Sequence, residues 1–431
     1  MTDLIVKEKN NLTGTVKAPP SKAQTHRAFI AASLSEGLSV IREALISDDT
    51  LATVDACRMI GANIEKTENN IFKVHGVSKP LTPEDVINCR NSGSTMRFFT
   101  PICALADGVS VLTGGESLRK RPMGPLLNAL RQLGVRCYST RMDGYPPVVV
   151  FGGGIKGGKA SIQGDVSSQF VSGLLLATPM ARNDTDIVLS TSLESKPYVE
   201  ITVDILRKHG VNIEINHDYK QFHVSCKQRY TPFNHLIEGD YSSAAFLLAA
   251  AAITNSHLKV ENLKEDTLQG DRIIVNVLEK MGVQIKTGRN HIEVQGVENC
   301  LSPINIDMHD YPDLVPICVV LACLAKGKSV IRGVKRLRFK ESDRIDALIS
   351  ELTKMGAIIN AFNDNLKVTG GRKLHGTDID SHGDHRIAMA CTVAALAAEG
   401  NAVVHGIECI NKSYPDFVND ICSLGGNIVE R

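Results

Sequence analysis

Six times along the chain an amphipathic helical pattern runs into a glycine, at Gly61, Gly134, Gly210, Gly282, Gly356 and Gly425, at intervals of 73, 76, 72, 74 and 69 residues. A period held over the whole chain requires one structural unit repeated, and units of this length are compact folding blocks, not the rungs of a thin solenoid. The segments before the glycines read TVDACRMIG, LLNALRQLG, TVDILRKHG, VNVLEKMG, LISELTKMG and FVNDICSLG. Apolar residues at helical spacing and a stop at Gly predict an outward-facing helix in each. Alternating stretches that follow several of them, ANIEKTENNIFKVHG, VNIEINHDYKQFHVSC and VQIKTGRNHIEVQG, predict hairpins.

A second helical series runs in step with the first but is apolar on nearly every side: AFIAASL, FFTPICALA, FVSGLLLATPMA, AAFLLAAAAI, LVPICVVLACLA and IAMACTVAALAA. A helix without a polar face must be buried all round. Each has a polar start, around Ser21, Ser92, Ser167, Ser242, Asp313 and Asp384. The unit is therefore strand, buried helix, strand, amphipathic helix, hairpin. Six of these βαβαββ units predict an α/β protein of two similar domains, each with three buried central helices inside sheets and outer helices.

A chain of 431 residues is too long for one compact core, which agrees with two domains. Strand-like LTGTVKA ends at Pro19-Pro20, where a missing amide hydrogen and restricted geometry stop a ladder. Crossings between domains are expected near Pro20 and in TPFNHLIEGD, around Pro232 to Glu238. One domain then covers 20–236, and the other combines 1–19 with 237–431. On repeat phase, LTGTVKA belongs to the C-terminal half and completes a repeat that the C-terminus leaves unfinished.

The formal charge of +1, from 48 basic and 47 acidic residues, gives no overall field favouring nucleic acid or anionic lipid. Any anion binding must be local. Eleven cysteines without a CxxC pair or zinc-like spacing predict free thiols in a reducing compartment, the cytoplasm. The opening MTDLIVKEKNNLTG has no signal-peptide core, and no apolar run approaches a membrane span, so a mature, soluble protein is expected.

Buried helices with small polar starts present free amides and a positive dipole end, which suits anions. Side chains of matching type cluster there: Lys22 and Arg27 after Ser21; Asn91, Gly93 and Arg97 around Ser92; Ser167, Ser168 and Gln169; Asp240 with Ser242 and Ser243; Asp313; and His385 and Arg386 after Asp384. Loops before the outer helices add Arg121, Ser195, Tyr198, Lys340, Glu341, Arg344 and Lys412. Singly, each has an ordinary role: helix caps for the Ser and Asp residues, Asp313 included, and solvated charges for Arg27, Arg97 and Lys412. Asp271 and Asp343, each followed by Arg, suggest ion pairs at helix starts without a chemical role. As a set, at equivalent helix starts, they predict one composite site.

The blocks KAPPSKAQTHR (17–27), RNSGSTMRF (90–98), LRKRPM (118–123), GDVSSQF (164–170), SKPY (195–198), EGDYSSAAF (238–246), YPDL (311–314), FKESDRI (339–345), GDHRIAM (383–389) and NKSYPDF (411–417) resemble those of the 5-enolpyruvylshikimate-3-phosphate synthases, in order over essentially the whole chain. That resemblance implies an enolpyruvyl transferase-like inside-out α/β barrel pair with the active site in the interdomain cleft. It implies transfer of the enolpyruvyl group of phosphoenolpyruvate to the 5-hydroxyl of shikimate 3-phosphate, by a monomer without metal or organic cofactor. Lys22, Arg121, Arg344, Arg386 and Lys412 would bind phosphoenolpyruvate, with Gly93 and Gln169 beside it. Shikimate 3-phosphate would fall to Arg27, Ser167, Ser168, Ser195, Asp313 and Lys340, with Lys22 and Gln169 shared and Tyr198 packing nearby. Asp313 would accept the hydroxyl proton and Glu341 would protonate the methylene carbon, with Lys22 and His385 assisting and Asn91 and Arg97 in support.

Two positions depart from the family pattern. Ala23 stands where many members have a hydroxyl, and Arg336 where an Asn often lies. Arg336 is expected to direct charge toward the phosphate of shikimate 3-phosphate. Gly93 keeps the position small, which implies inhibition by glyphosate. The sister transferase acting on UDP-N-acetylglucosamine is the nearest alternative, but its usual loop cysteine has no counterpart in GGESLRKRPM. An RNA-terminal phosphate cyclase fits poorly with neutral charge, and a repeat scaffold binding an anionic partner would need neither Asp313 nor Glu341.

Overall fold

One strand order recurs throughout the computed structural model, which describes residues 2–8, 11–67, 70–296 and 301–431. Among these residues the strands form six separate four-stranded sheets, so no continuous strand barrel closes. The second repeat shows the pattern: Ile87–Asn88 lies parallel to Val109–Thr113, which is antiparallel to Val148–Phe151, whose hairpin partner Cys137–Ser139 forms the edge. Parallel neighbours need a crossover, and the buried helix Gly93–Cys103 supplies it.

Three sheets borrow a strand from elsewhere in the chain. His235–Leu236 pairs in parallel with Gly37–Arg42 to complete the first repeat. Thr13–Lys17 pairs in parallel with His257–Glu261 and opens the fourth. Asp3–Lys7 inserts between Asn401–His405 and Ile428–Glu430 and completes the sixth. LTGTVKA therefore does join the C-terminal half, but not in the expected repeat; DLIVK closes the one left unfinished. The chain divides into two compact units, Pro20–Ile237 and Met1–Pro19 with Glu238–Arg431, each with its own apolar core.

The central helices of the first unit are Lys22–Ser33, Gly93–Cys103 and Ser168–Ala177, and those of the second are Tyr241–Ile253, Val315–Leu324 and His385–Leu396. In the second unit the three pack on one another, and every residue of His385–Leu396 is buried. Each outer helix ends in a Schellman motif. At the first, Gly61 N donates to Arg58 O at 2.9 Å and Ala62 N to Cys57 O at 3.2 Å, and the same pair of bonds follows the other five. That geometry needs a left-handed residue, and all six glycines have φ between +77° and +103°.

The inner helices differ at their starts. Ser21, Ser92, Ser167 and Asp384 cap theirs through the side chain. Asp240, not Ser242, caps the fourth, accepting from Ser243 N at 2.8 Å. The fifth begins at Leu314 without a side-chain cap, so Asp313 does not play the ordinary capping role. Its carboxylate is engaged by cations instead.

Candidate active site

In the unit Pro20–Ile237, Lys22, Asn91, Gly93, Ser167, Ser168 and Gln169 lie at the starts of the inner helices, and Arg121, Ser195 and Tyr198 lie before or at the starts of outer ones. Lys22 is the first residue of its helix, and its Nζ lies 3.2 Å from Asp49 Oδ2. Arg27, one turn further on, is buried and spends most of its donors within the unit: Nε on Thr202 Oγ1 at 2.7 Å, Nη1 on Ala23 O at 2.8 Å and Nη2 on Tyr198 O at 3.1 Å. Burial lowers it to about 10, so it remains a cation at neutral pH. Arg97 donates from Nη1 to Gln169 Oε1 at 2.5 Å, and Gln169 Nε2 donates to Ser94 Oγ at 2.9 Å. A Cβ on Gly93 would come 2.8 Å from Arg121 Nη1 and 3.3 Å from Arg97 Nη1. Glycine there lets two guanidinium groups share one helix start.

Ser167 caps Ser168–Ala177 by accepting from Gln169 N at 3.3 Å, and Ser168 follows it, buried. Ser195 precedes Lys196–Lys208 with φ 55° and ψ 44°, a left-handed conformation that costs a non-glycine residue energy. Tyr198 gives its carbonyl to Arg27. Asn91 lies against Gly115, where any Cβ would strike its Oδ1 at 2.3 Å. Set against Asp49, this unit presents four cations: Lys22, Arg27, Arg97 and Arg121.

The other unit is organised around Arg344, 1% exposed at the first position of Arg344–Lys354. Its guanidinium donates to three carboxylates: Nε to Asp384 Oδ2 at 2.8 Å, Nη1 to Asp313 Oδ1 at 2.9 Å and Nη2 to Glu341 Oε2 at 2.8 Å. The planar fork of arginine is what allows three partners at once. Lys340 Nζ stands 3.6 Å from Asp313 Oδ1, and Arg386 Nη2 lies 3.9 Å from Asp313 Oδ2. Burial acts to raise the Asp313 carboxyl, but Lys340, Arg386 and Arg344 overcome it and hold it well below the usual carboxylate range. Burial lowers Lys340 to about 8 despite Asp313 beside it.

Arg386 is buried and donates from Nη1 to Ser242 O at 2.8 Å, and Lys412 Nζ donates to Gly383 O at 2.8 Å. His385 is buried with Nδ1 3.8 Å from Asp384 Oδ1. Arg336, also buried, donates from Nη2 to His309 O at 3.2 Å. Asp343 caps Arg344–Lys354 and pairs with Arg338 at 2.7 Å, not with the adjacent arginine. One contributor escapes the sequence, Asp49, partner of Lys22; Asp384, expected as a helix cap, serves Arg344 as well as capping its own helix. Only the position of Asp384 directly before His385-Arg386 hinted at that second role. Among the described residues no His, Cys, Asp and Glu group could hold a metal ion, no helix is long and apolar enough to cross a membrane, and the ten cysteines are free thiols.

This fold is that of the enolpyruvyl transferases. An EPSP synthase from Acinetobacter baumannii superposes with a TM-score of 0.83 at 27% identity, covering 100% of this chain and 99% of that one. The enolpyruvyl transferase NikO from Streptomyces tendae shares the fold, at a TM-score of 0.82 and 19% identity, with the same coverage. The model of the EPSP synthase family (3-phosphoshikimate 1-carboxyvinyltransferase) matches residues 6–421. Proteins called 3-phosphoshikimate 1-carboxyvinyltransferase are 44% identical over 427 residues in Methanocaldococcus jannaschii and 43% identical over 428 in Methanococcus maripaludis, each alignment covering 99% of both chains. The chain belongs to the EPSP synthase family and is an enzyme of the shikimate pathway.

Proposed function

We propose that cations of both units act on one pair of substrates, and that the enolpyruvyl group of phosphoenolpyruvate passes to the 5-hydroxyl of shikimate 3-phosphate. The observation that carries this is the Arg344 cluster. One buried guanidinium holds Asp313 and Glu341, two carboxylates that addition and elimination require, beside Lys340 and Arg386. Two substrates bearing two phosphates and two carboxylates repel each other, and fixed bidentate cations offset that repulsion.

Lys22, Arg121, Arg344, Arg386 and Lys412 take phosphoenolpyruvate, next to Gly93 and Gln169. Shikimate 3-phosphate falls to Arg27, Ser167, Ser168, Ser195, Tyr198, Arg336 and Lys340, with Lys22 and Gln169 shared. Asn91, Arg97 and His385 support them. Because Arg27 is largely committed within its unit, its share is charge more than hydrogen bonds. The carboxylate of phosphoenolpyruvate competes with Glu341 for Arg344, and a Glu341 released from its cation takes up the proton it must deliver. Substrate anions on Lys340, Arg344 and Arg386 also relieve the charge that holds Asp313 low, which makes it a stronger base. Asp313 then accepts the hydroxyl proton as the oxygen attacks C2, while Glu341 protonates the methylene carbon. A methyl proton then returns to the Glu341 carboxylate as the C2–O bond to phosphate breaks, so the double bond re-forms, phosphate leaves with the bonding pair and Asp313 gives up its proton.

Free thiols support a reducing, cytoplasmic setting, and the protein acts as a monomer without metal or organic cofactor in this reading. Phosphate release with phosphoenolpyruvate and shikimate 3-phosphate, in the presence of a chelator, tests it against UDP-N-acetylglucosamine as the acceptor. Release with shikimate 3-phosphate alone is expected. Release only with the nucleotide sugar, or with neither, would overturn the acceptor assignment.

A further inference from the structure

Asp271 lies in the turn Gly270–Arg272 before the outer helix Ile273–Lys280. Its neighbour Arg272 reaches Glu265 at 4.0 Å, so the pair suggested by the sequence does not carry it. The carboxyl turns inward and the residue is 3% exposed. Ser242 Oγ donates to Asp271 Oδ2, and the main-chain oxygen of the same Ser242 accepts from Arg386 Nη1 at 2.8 Å. Arg386 Nη2 in turn faces Asp313 Oδ2 at 3.9 Å. Asp271, Ser242, Arg386 and Asp313 thus form a chain that crosses the starts of all three inner helices of their unit.

We propose that Asp271 is a positioning residue for Arg386: by holding Ser242 it fixes the carbonyl on which that guanidinium rests. This rests on the assignment of Arg386 to phosphoenolpyruvate. Two carboxylates beside one buried arginine do not both ionise freely, since each charge disfavours the other. Burial first, then Asp313, and more weakly Asp240, raise the Asp271 carboxyl to about 7, while Ser242 and Arg386 oppose the rise. On the helix Val315–Leu324, Cys318 senses the same group, its thiol being pushed up to about 12 by burial first and then by Asp271. A proton on Asp313 removes the second cause of the Asp271 rise and leaves burial, so it moves that carboxyl down toward its ordinary range.

Two variants separate the hydrogen bond from the charge. Asp271→Asn keeps an acceptor for Ser242 but cannot ionise, whereas Asp271→Ala removes both. For Asp271→Ala, KM for phosphoenolpyruvate rises about tenfold, the loss of one buried hydrogen bond, while KM for shikimate 3-phosphate stays within about twofold. For Asp271→Asn, KM stays near wild type, but the pH profile of kcat/KM loses an ionisation near neutrality. Unchanged KM in Asp271→Ala, or an unaltered profile in Asp271→Asn, would overturn the proposal. A wild type inactive with shikimate 3-phosphate would count against the substrate assignment instead. Independently of substrate, the infrared absorption of protonated carboxylic acids at about pH 6 must be present in the wild type and weaker in Asp271→Asn. Its absence from the wild type overturns the proposal as well.

Discussion

At Arg344 a single side chain pairs with three acids, and its loss would leave Asp384, 0% exposed, without the guanidinium that donates to it. Removing one partner from a buried ionic group costs about 3–5 kcal/mol, so Arg344→Ala should lower unfolding free energy by that order and abolish turnover. Arg344→Lys, lacking the fork, should recover little of either in denaturant melts and phosphate assays. Glu351 carries a pH prediction of its own. Burial raises its carboxyl, but Lys354 at 2.6 Å, the Asp380 amide at 3.0 Å, His382 at 3.0 Å and Ser350 outweigh this and bring it to about 2. A depressed pKa stabilises the fold above the unfolded value and the benefit disappears as pH falls through the folded one. Glu351→Gln should therefore cost on the order of 1–3 kcal/mol at pH 7 and progressively less below about pH 4, read from unfolding at several pH values. Arg336→Ala should raise KM for shikimate 3-phosphate; an unchanged KM would refute its assigned role. Residue types at helix starts pointed to this chemistry, yet sequence could not separate capping from catalysis. Asp313 and Asp384 both precede apolar helices and both meet Arg344, yet only Asp384 caps its helix, accepting from Arg386 N, while the helix after Asp313 has no side-chain cap.

Among elements, the glycine-terminated helices and hairpins were the most legible, because a left-handed helix end and a two-residue alternation are written in local sequence. Gly425 and Gly173 test different reasons for glycine. A Cβ at Gly425 meets nothing within 4 Å, but its φ is +92°, so Gly425→Ala should cost about 1–2 kcal/mol through backbone strain alone. At Gly173 a Cβ would come 2.5 Å from Arg97 O on the facing inner helix, a backbone atom that cannot swing aside. Gly173→Ala should cost more, about 1–3 kcal/mol or beyond, and should also disturb the Arg97 contact with Gln169, visible as impaired kinetics. Strand DLIVK was not legible. Its partners, Asn401–His405 and Ile428–Glu430, lie at the far end of the chain, and nothing local encodes a pairing across that separation.

For the whole molecule, the repeat period made two three-repeat halves readable, while the borrowed strands set how the halves depend on the termini. Asp3–Lys7 and Thr13–Lys17 supply strands to two sheets of the second unit, and Leu4 and Val6 are fully buried there. A chain starting at Pro20 should retain hydrogen-exchange protection in Pro20–Ile237 and lose it across Glu238–Arg431. The most direct test of whether cations from both units serve one substrate is the KM for phosphoenolpyruvate at saturating shikimate 3-phosphate, measured in Arg121→Ala and in Arg386→Ala. If cations from both units grip the same substrate, each substitution raises that KM by about tenfold or more. An unchanged KM in either variant would contradict it.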